Sequence, residues 1–198
     1  MSYGVNAPMG LVPFRYLNGA LYNGATNQYN ITNTYASSMF TGDPVTLAND
    51  GTITRGAAGA ACVGVFQGCK YIDSTGNVQF LPYWPGNPGV QTGQQAIALV
   101  ADDPNIVFSI QETDASGAAG TPLTLADVGL NANFLYTAGV TATGLSRVSL
   151  NNASEAVTDT LNLKILALDP TVGNAVGSFA NWLVTLNNHR YRTGITGV

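Results

Sequence analysis

One histidine, two cysteines and eleven carboxylates are all that this 198-residue chain offers for a nucleophile, a general base or a metal cage. A Ser-His-Asp or Cys-His site would have to recruit His189, because a hydroxyl or thiol needs a neighbouring base to become nucleophilic. No Gly-x-Ser-x-Gly turn presents a serine to it. A zinc site needs more cysteine and histidine than Cys62, Cys69 and His189 supply. The glycine-rich run Arg55-Gly56-Ala57-Ala58-Gly59-Ala60-Ala61 lacks the Lys-Ser/Thr end of a phosphate loop and reads as a turn between strands. Asp102-Asp103 and Glu112/Asp114 could act as paired carboxylates or bind Ca²⁺ only if the fold brings them together. Their expected place is in turns flanking Ile106–Ile110, and whether Asp102 and Asp103 hold a metal stays open. Tyr83 and Trp84, in the Pro/Gly-rich stretch 82–93, offer either a stacking platform for a sugar or ordinary loop packing. The expectation is no catalytic residue, no cofactor and no enzyme.

Cys62 and Cys69 are seven residues apart. On one strand, at about 3.3 Å per residue, they would lie roughly 23 Å from each other on opposite faces, too far for a disulfide without a turn at Gly64 or Gly68. Two free, partly buried thiols are expected, and with them a reducing compartment during synthesis. Asn30-Ile31-Thr32 and Asn152-Ala153-Ser154 have the form of glycosylation sites, but no secretory signal is expected at Met1–Gly4, so they read as chance in an Asn/Thr-rich chain.

The elements that would carry these residues must be β. Only 9% of residues are charged while 45% are hydrophobic, against about 25% charged in ordinary globular chains. That starves long helices of Glu, Lys and Arg for their wet faces, and it suits broad contact with other subunits, where unpaired charge is costly to bury. A net charge of −4 with seven basic residues gives no footprint for nucleic acid, and no apolar run approaches the ~20 residues of a membrane helix. Arg190 and Arg192, with His189, form the one basic cluster, expected as a solvated chain end or a partner rim.

Residues 1–40 carry Tyr3, Phe14, Tyr16, Tyr22, Tyr29, Tyr35 and Phe40 among Asn, Gly and Thr, with neither strand nor helix period. They form either an extended arm with aromatic anchors for a neighbouring subunit or a loop wrapped on their own core. From 41 to 198 a single β-rich domain is expected. Asn49-Asp50-Gly51 turns Pro44–Leu47 into Thr52–Thr54, and Asp73–Asn77 turns Tyr71–Ile72 into Val78–Leu81. Ile106, Phe108 and Ile110 share one strand face, as do Trp182, Val184 and Leu186. Leu166 and Leu168 add a second apolar face to 161–165, which marks that strand as central. One helical turn is expected over 123–128, capped by Thr121 or Thr124. Short strands with frequent turns predict an antiparallel β-sandwich or β-barrel with little helix.

Gly42-Asp43-Pro44-Val45-Thr46-Leu47 followed by Cys62-Val63-Gly64-Val65-Phe66 resembles the "GDPV-L" and "-GV-" strands of tailed-phage capsid decoration proteins. Val12–Gly19 resembles the opening of such proteins, Asp102–Glu112 and Asp127–Ala132 their middle, and Leu163–Leu168 and Ala180–Arg192 their end, so the resemblance spans roughly 11–192. It implies a cement or head-stabilising protein on the capsid exterior, made in the host bacterial cytoplasm, with the major capsid protein and its own copies (a homotrimer) as partners, and no membrane or nucleic acid. It brings no catalytic residues. The expected partner-binding residues are Phe14, Arg15, Tyr16, Tyr22, Tyr29, Arg190 and Arg192. A head-fibre base or tail part, and a carbohydrate-binding β-sandwich using Tyr83 and Trp84, are the other readings.

Overall fold

A computed structural model describes residues 4–192. Tyr3 and the chain beyond Arg192 lie outside the described residues. The chain is all-β, as its composition predicts. Its strands are β1 (Val12–Tyr16), β2 (Asn27–Ile31), β3 (Met39–Phe40), β4 (Pro44–Leu47), β5 (Ile53–Arg55), β6 (Gly64–Ile72), β7 (Val78–Leu81), β8 (Tyr83–Trp84), β9 (Ala96–Ala101), β10 (Ile106–Thr113), β11 (Asn131–Ala132), β12 (Phe134–Leu135), β13 (Ser149–Asn151), β14 (Leu163–Leu168) and β15 (Asn181–Leu186). The expected helical turn is a 3-10 turn at Leu125–Asp127, with Thr124 and Asp127 forming a reciprocal capping box.

One sheet runs β11-β14-β15-β10-β13-β12, with β1 also paired to β10. A second runs β2-β9-β6-β4-β5, with β7 also paired to β6, and β3-β8 is a small third. All these pairings are antiparallel except the two-residue match of β10 with β13. β10 is buried along nearly its whole length. Ile106, Phe108 and Ile110 enter one core with Leu163, Ile165, Trp182, Val184 and Leu186. A second core gathers Ile31, Val45, Ile53, Phe66, Trp84 and Val100. β6 and its approach serve both: Cys62 and Val65 point to the first core, Val63, Phe66, Cys69 and Tyr71 to the second.

Three tight loops share one chemistry. In 48–52, 73–77 and 114–118 the first N–H bonds the carbonyl of the fifth residue, at 2.8, 2.9 and 2.7 Å, and the fourth residue is a glycine at φ 76, 90 and 83°. That is a type I turn closed by a left-handed glycine. In the latter two, the leading aspartate ties the loop: Asp73 Oδ1 accepts from Thr75 N–H and Oγ1 and from Asn77 N–H, and Asp114 Oδ1 accepts from Ser116 N–H and Oγ and from Ala118 N–H.

From Gly4 to Phe40 the described chain is not an extended arm. β1 pairs with β10 over Val12–Tyr16 and β2 with β9 over Asn27–Ile31. Ahead of β1, Ala7 N–H donates to Gln111 Oε1 at 2.8 Å and Gln111 Nε2 donates to Val5 O at 3.0 Å. This segment therefore runs over β10 at Gln111, a buried side chain whose Oε1 it supplies with a donor. Gly42 permits the crossing, since a Cβ there would stand 2.7 Å from Met9 O. Stretch 82–93 was expected to be without regular structure, but Tyr83–Trp84 pairs with Met39–Phe40. Leu166 and Leu168 do not make a second face: a bulge between Ile165 and Ala167 shifts the phase, and Leu168 packs on the first core.

Candidate functional site at the turn between β9 and β10

The sequence candidates converge on the seam where β9 passes into β10 through Asp102-Asp103-Pro104-Asn105. Asp102 follows the last residue of β9 and is nearly buried. Asn27 Nδ2 donates to its two oxygens at 2.9 and 3.1 Å, and Tyr29 Oη donates to Oδ2 at 2.5 Å. β2 supplies both donors because its register sets Asn27 opposite Val100 and Tyr29 opposite Ala98. Tyr29 Oη also meets Tyr191 Oη at 2.8 Å. Burial, and then the bond to Asp102, push the Tyr29 phenol far above its usual range, so it remains a donor at every physiological pH.

Residues 188–192, expected as a solvated end or a partner rim, form a strap. Cys62 N–H donates to Asn188 O at 2.9 Å and Arg190 N–H donates to Cys62 O at 2.8 Å. Arg192 Nη2 donates to Pro104 O at 2.6 Å and to Thr185 Oγ1 at 3.1 Å. Arg192 through its guanidinium, and Arg190 through its backbone, thus fasten the strap. His189 is fully buried, and its Nδ1 accepts from Tyr191 N–H at 3.1 Å. Burial first, and the Arg192 charge second, lower its pKa to about 4, against the pull of Asp102 and Asp103. It is neutral at pH 7, with the lone pair at Nδ1 occupied.

Tyr16 and Tyr22 complete the seam, their rings 6.0 Å apart and both packed on the first core. Arg15 pairs through its backbone with Val107 in β10, and Arg190 lies close enough to Cys62 for its charge to act on the thiol. Phe14 stands apart as the extra residue of a bulge in β1. It is 36% exposed beside Val12 at 41%. Val12 borders two hollows, one of ≈ 160 Å³ that Phe14 also lines and one of ≈ 230 Å³ reaching Leu145. Four expected partner residues, Tyr16, Tyr22, Tyr29 and Arg192, therefore gather at the seam, while Phe14 belongs to a separate apolar ridge.

The other chemical candidates are spent elsewhere. Trp84 is fully buried with Nε1 donating to Tyr35 O at 2.9 Å, and Tyr83 stacks on Phe40 at 5.5 Å, so this pair is no sugar platform. The indole meets Tyr71 edge-on, with ring centroids 5.7 Å apart. Cys62 and Cys69 are free and buried in different cores, and burial pushes each thiol up to about 12. Glu112 is buried away from the seam, accepting from Leu123 N–H at 2.8 Å. Among the described residues no group of three His, Cys, Asp or Glu could hold a metal ion, and no helix is long and apolar enough to cross a membrane.

Asn27, Tyr191 and Pro104 carry the seam, yet the sequence marks the place only through Asp102 and Asp103, expected in a turn before Ile106. Searches with the chain found no matching family model, no matching curated protein and no matching solved structure.

Proposed function

We propose that the chain is a structural virion protein that binds the outer surface of a tailed-phage capsid and cements neighbouring major capsid subunits, acting as a homotrimer. The observation that carries this reading is the Val12–Phe14 ridge, an exposed apolar pair on an edge strand of a molecule with few charges. The pair stands on β1, held by pairing to β10, so an anchor there is pre-ordered and costs little entropy to dock. The resemblance of 11–192 to capsid decoration proteins supplies the class of partner. Many weak identical contacts on a mature lattice add up, and binding only to that state stabilises it by mass action.

Quantitative mass spectrometry of virions tests the reading. A copy number near a simple fraction of the major capsid protein is expected. A handful of copies would mean a tail or fibre part, and absence would overturn the proposal. Phe14→Ala should lower capsid affinity in co-sedimentation by about tenfold, a typical anchor loss of ~1.4 kcal/mol, with a stability change below about 1 kcal/mol because the ring is partly exposed. Undiminished binding would exclude the ridge as the anchor.

A further inference from the structure

Two tight turns meet outside the Tyr29–Asp102 network. In the first, Tyr16 N–H donates to Ala20 O at 2.8 Å, Gly19 N–H to Tyr16 O at 3.0 Å, and Ala20 N–H to Asn18 Oδ1 at 3.0 Å. In the second, Asn105 N–H donates to Asp103 Oδ1 at 2.7 Å and Ile106 N–H to Asp103 O at 3.1 Å. Leu17 N–H donates to Asn105 O at 2.9 Å and locks the two together. Arg192 holds the second turn from behind through Pro104 O.

Between them lies a hollow of ≈ 350 Å³ lined by Tyr16, Leu17, Asn18, Asp103 and Asn105. That volume lies within the range of small-molecule sites, about 300–1,000 Å³. The N–H groups of Tyr16, Leu17, Gly19, Ala20, Asn105 and Ile106 are bonded within or between the turns. Among the described residues, Asn18 Nδ2, Asp103 Oδ2 and the Asn105 carboxamide have no hydrogen-bond partner. The hollow thus offers a donor, a carboxylate acceptor and an amide that is both, beside an aromatic ring and a leucine.

We infer that this hollow binds a neutral saccharide. Vicinal hydroxyls present paired donors and acceptors at the spacing a carboxylate and a carboxamide can share, and the C–H face of a pyranose packs on apolar and aromatic surface. A single carboxylate, with the Arg192 guanidinium turned to Pro104 and Thr185, disfavours anions. One carboxylate is also too few for a calcium cage, which takes six to eight oxygens. The site is open, so affinity is weak, with Kd on the order of 1 mM. This inference is independent of the capsid reading and uses different residues from the Val12–Phe14 ridge.

The test is an amide-resolved NMR titration of the full chain with methyl glycosides and β-linked disaccharides of glucose, galactose and N-acetylglucosamine, to about 20 mM. At least one sugar is expected to shift amides confined to 16–20 and 103–106. Asp103→Asn keeps the Oδ1 acceptor that closes the turn but replaces the free acceptor by a donor. Asn105→Ala removes the carboxamide while keeping the N–H. Each should weaken binding at least tenfold, with the rest of the spectrum unchanged. No shift with any sugar, shifts elsewhere, undiminished binding by both variants, or the same shifts with calcium chloride alone would each overturn the proposal.

Discussion

His189 shows how a single side chain can be diverted from chemistry to architecture. A solvated histidine titrates near 6.5, whereas burial and Arg192 hold His189 near 4. The folded-state pKa lies below the unfolded one, so between these values the unfolded chain binds more protons. Stability from this residue is complete above about pH 6.5 and is lost as pH falls towards 4, by on the order of 3 kcal/mol. Asp43 and Glu112 oppose it: burial raises both, the folded chain holds their protons more tightly, and their contribution falls as pH rises through the folded pKa. The acid slope of the whole protein therefore mixes signs, and a difference measurement separates them. In urea titrations from pH 7.5 to 4, wild type should lose stability relative to His189→Gln, which has nothing to titrate there. Parallel curves would show that His189 is not the group responsible. Below about pH 4 the turn aspartates act in the same direction as His189. The pKa values of Asp50, Asp73 and Asp114 are lowered chiefly by bonds from the hydroxyl two residues on, so their stabilisation is present above the unfolded carboxylate pKa and disappears as they protonate.

Among the elements, the tight loops and the bulges mark what local chemistry can and cannot announce. Gly76 holds φ 90° with open space where a Cβ would go, so Gly76→Ala meets only the left-handed backbone cost, about 1 kcal/mol. Gly42 combines φ 99° with Met9 O at 2.7 Å from the would-be Cβ, so Gly42→Ala must also displace the segment that runs over β10, and its loss should be several times larger. Urea midpoints of the two variants, measured side by side, check the order, and equal losses would mean that the crossing is loosely held. The hairpins at 48–52 and 73–77 were legible because Asn-Asp-Gly and Asp-Ser-Thr-Gly-Asn carry the turn in their own side chains. The bulges at Phe14, Gln67 and Leu166 were harder to place: Pro13 and Gly68 stand beside the first two, the third has no such neighbour, and each resets the period-two pattern behind it. β1 and β2 were illegible for another reason. Their outward residues are Asn, Gln and other exposed side chains, and their partners β10 and β9 lie far along the chain. At the seam, the residue types of Tyr29 and Asp102 were visible, but their pairing depends on the register of β2 on β9, which no local pattern sets.

For the molecule as a whole, the question is whether two sheets with two cores melt as one. Each core contains one of the chain's two tryptophans, Trp182 in the first and Trp84 in the second. Were the cores joined only by a connecting loop, each could open separately. They are joined more closely than that. Cys62, Val65 and Ala101 belong to the first core, while Val63, Phe66 and Val100 on the same two chain segments belong to the second. Opening either core therefore strips β6 and β9 of one buried face. The strap adds Asn188 and Arg190 against Cys62, and Tyr191 against Tyr29, across the same seam. The free energy of separate opening then includes most of the packing of the other half, which favours a single transition. Trp84→Phe and Trp182→Phe each leave one reporter, and each removes part of a core at a cost of about 1–3 kcal/mol. Absolute midpoints will shift, but within each variant the fluorescence midpoint in urea should coincide with that of far-ultraviolet circular dichroism, which sees all strands. A tryptophan transition that precedes the loss of strand signal in one variant and follows it in the other would show two independently melting halves, and the shared strands would then be a seam of contact without being a seam of stability.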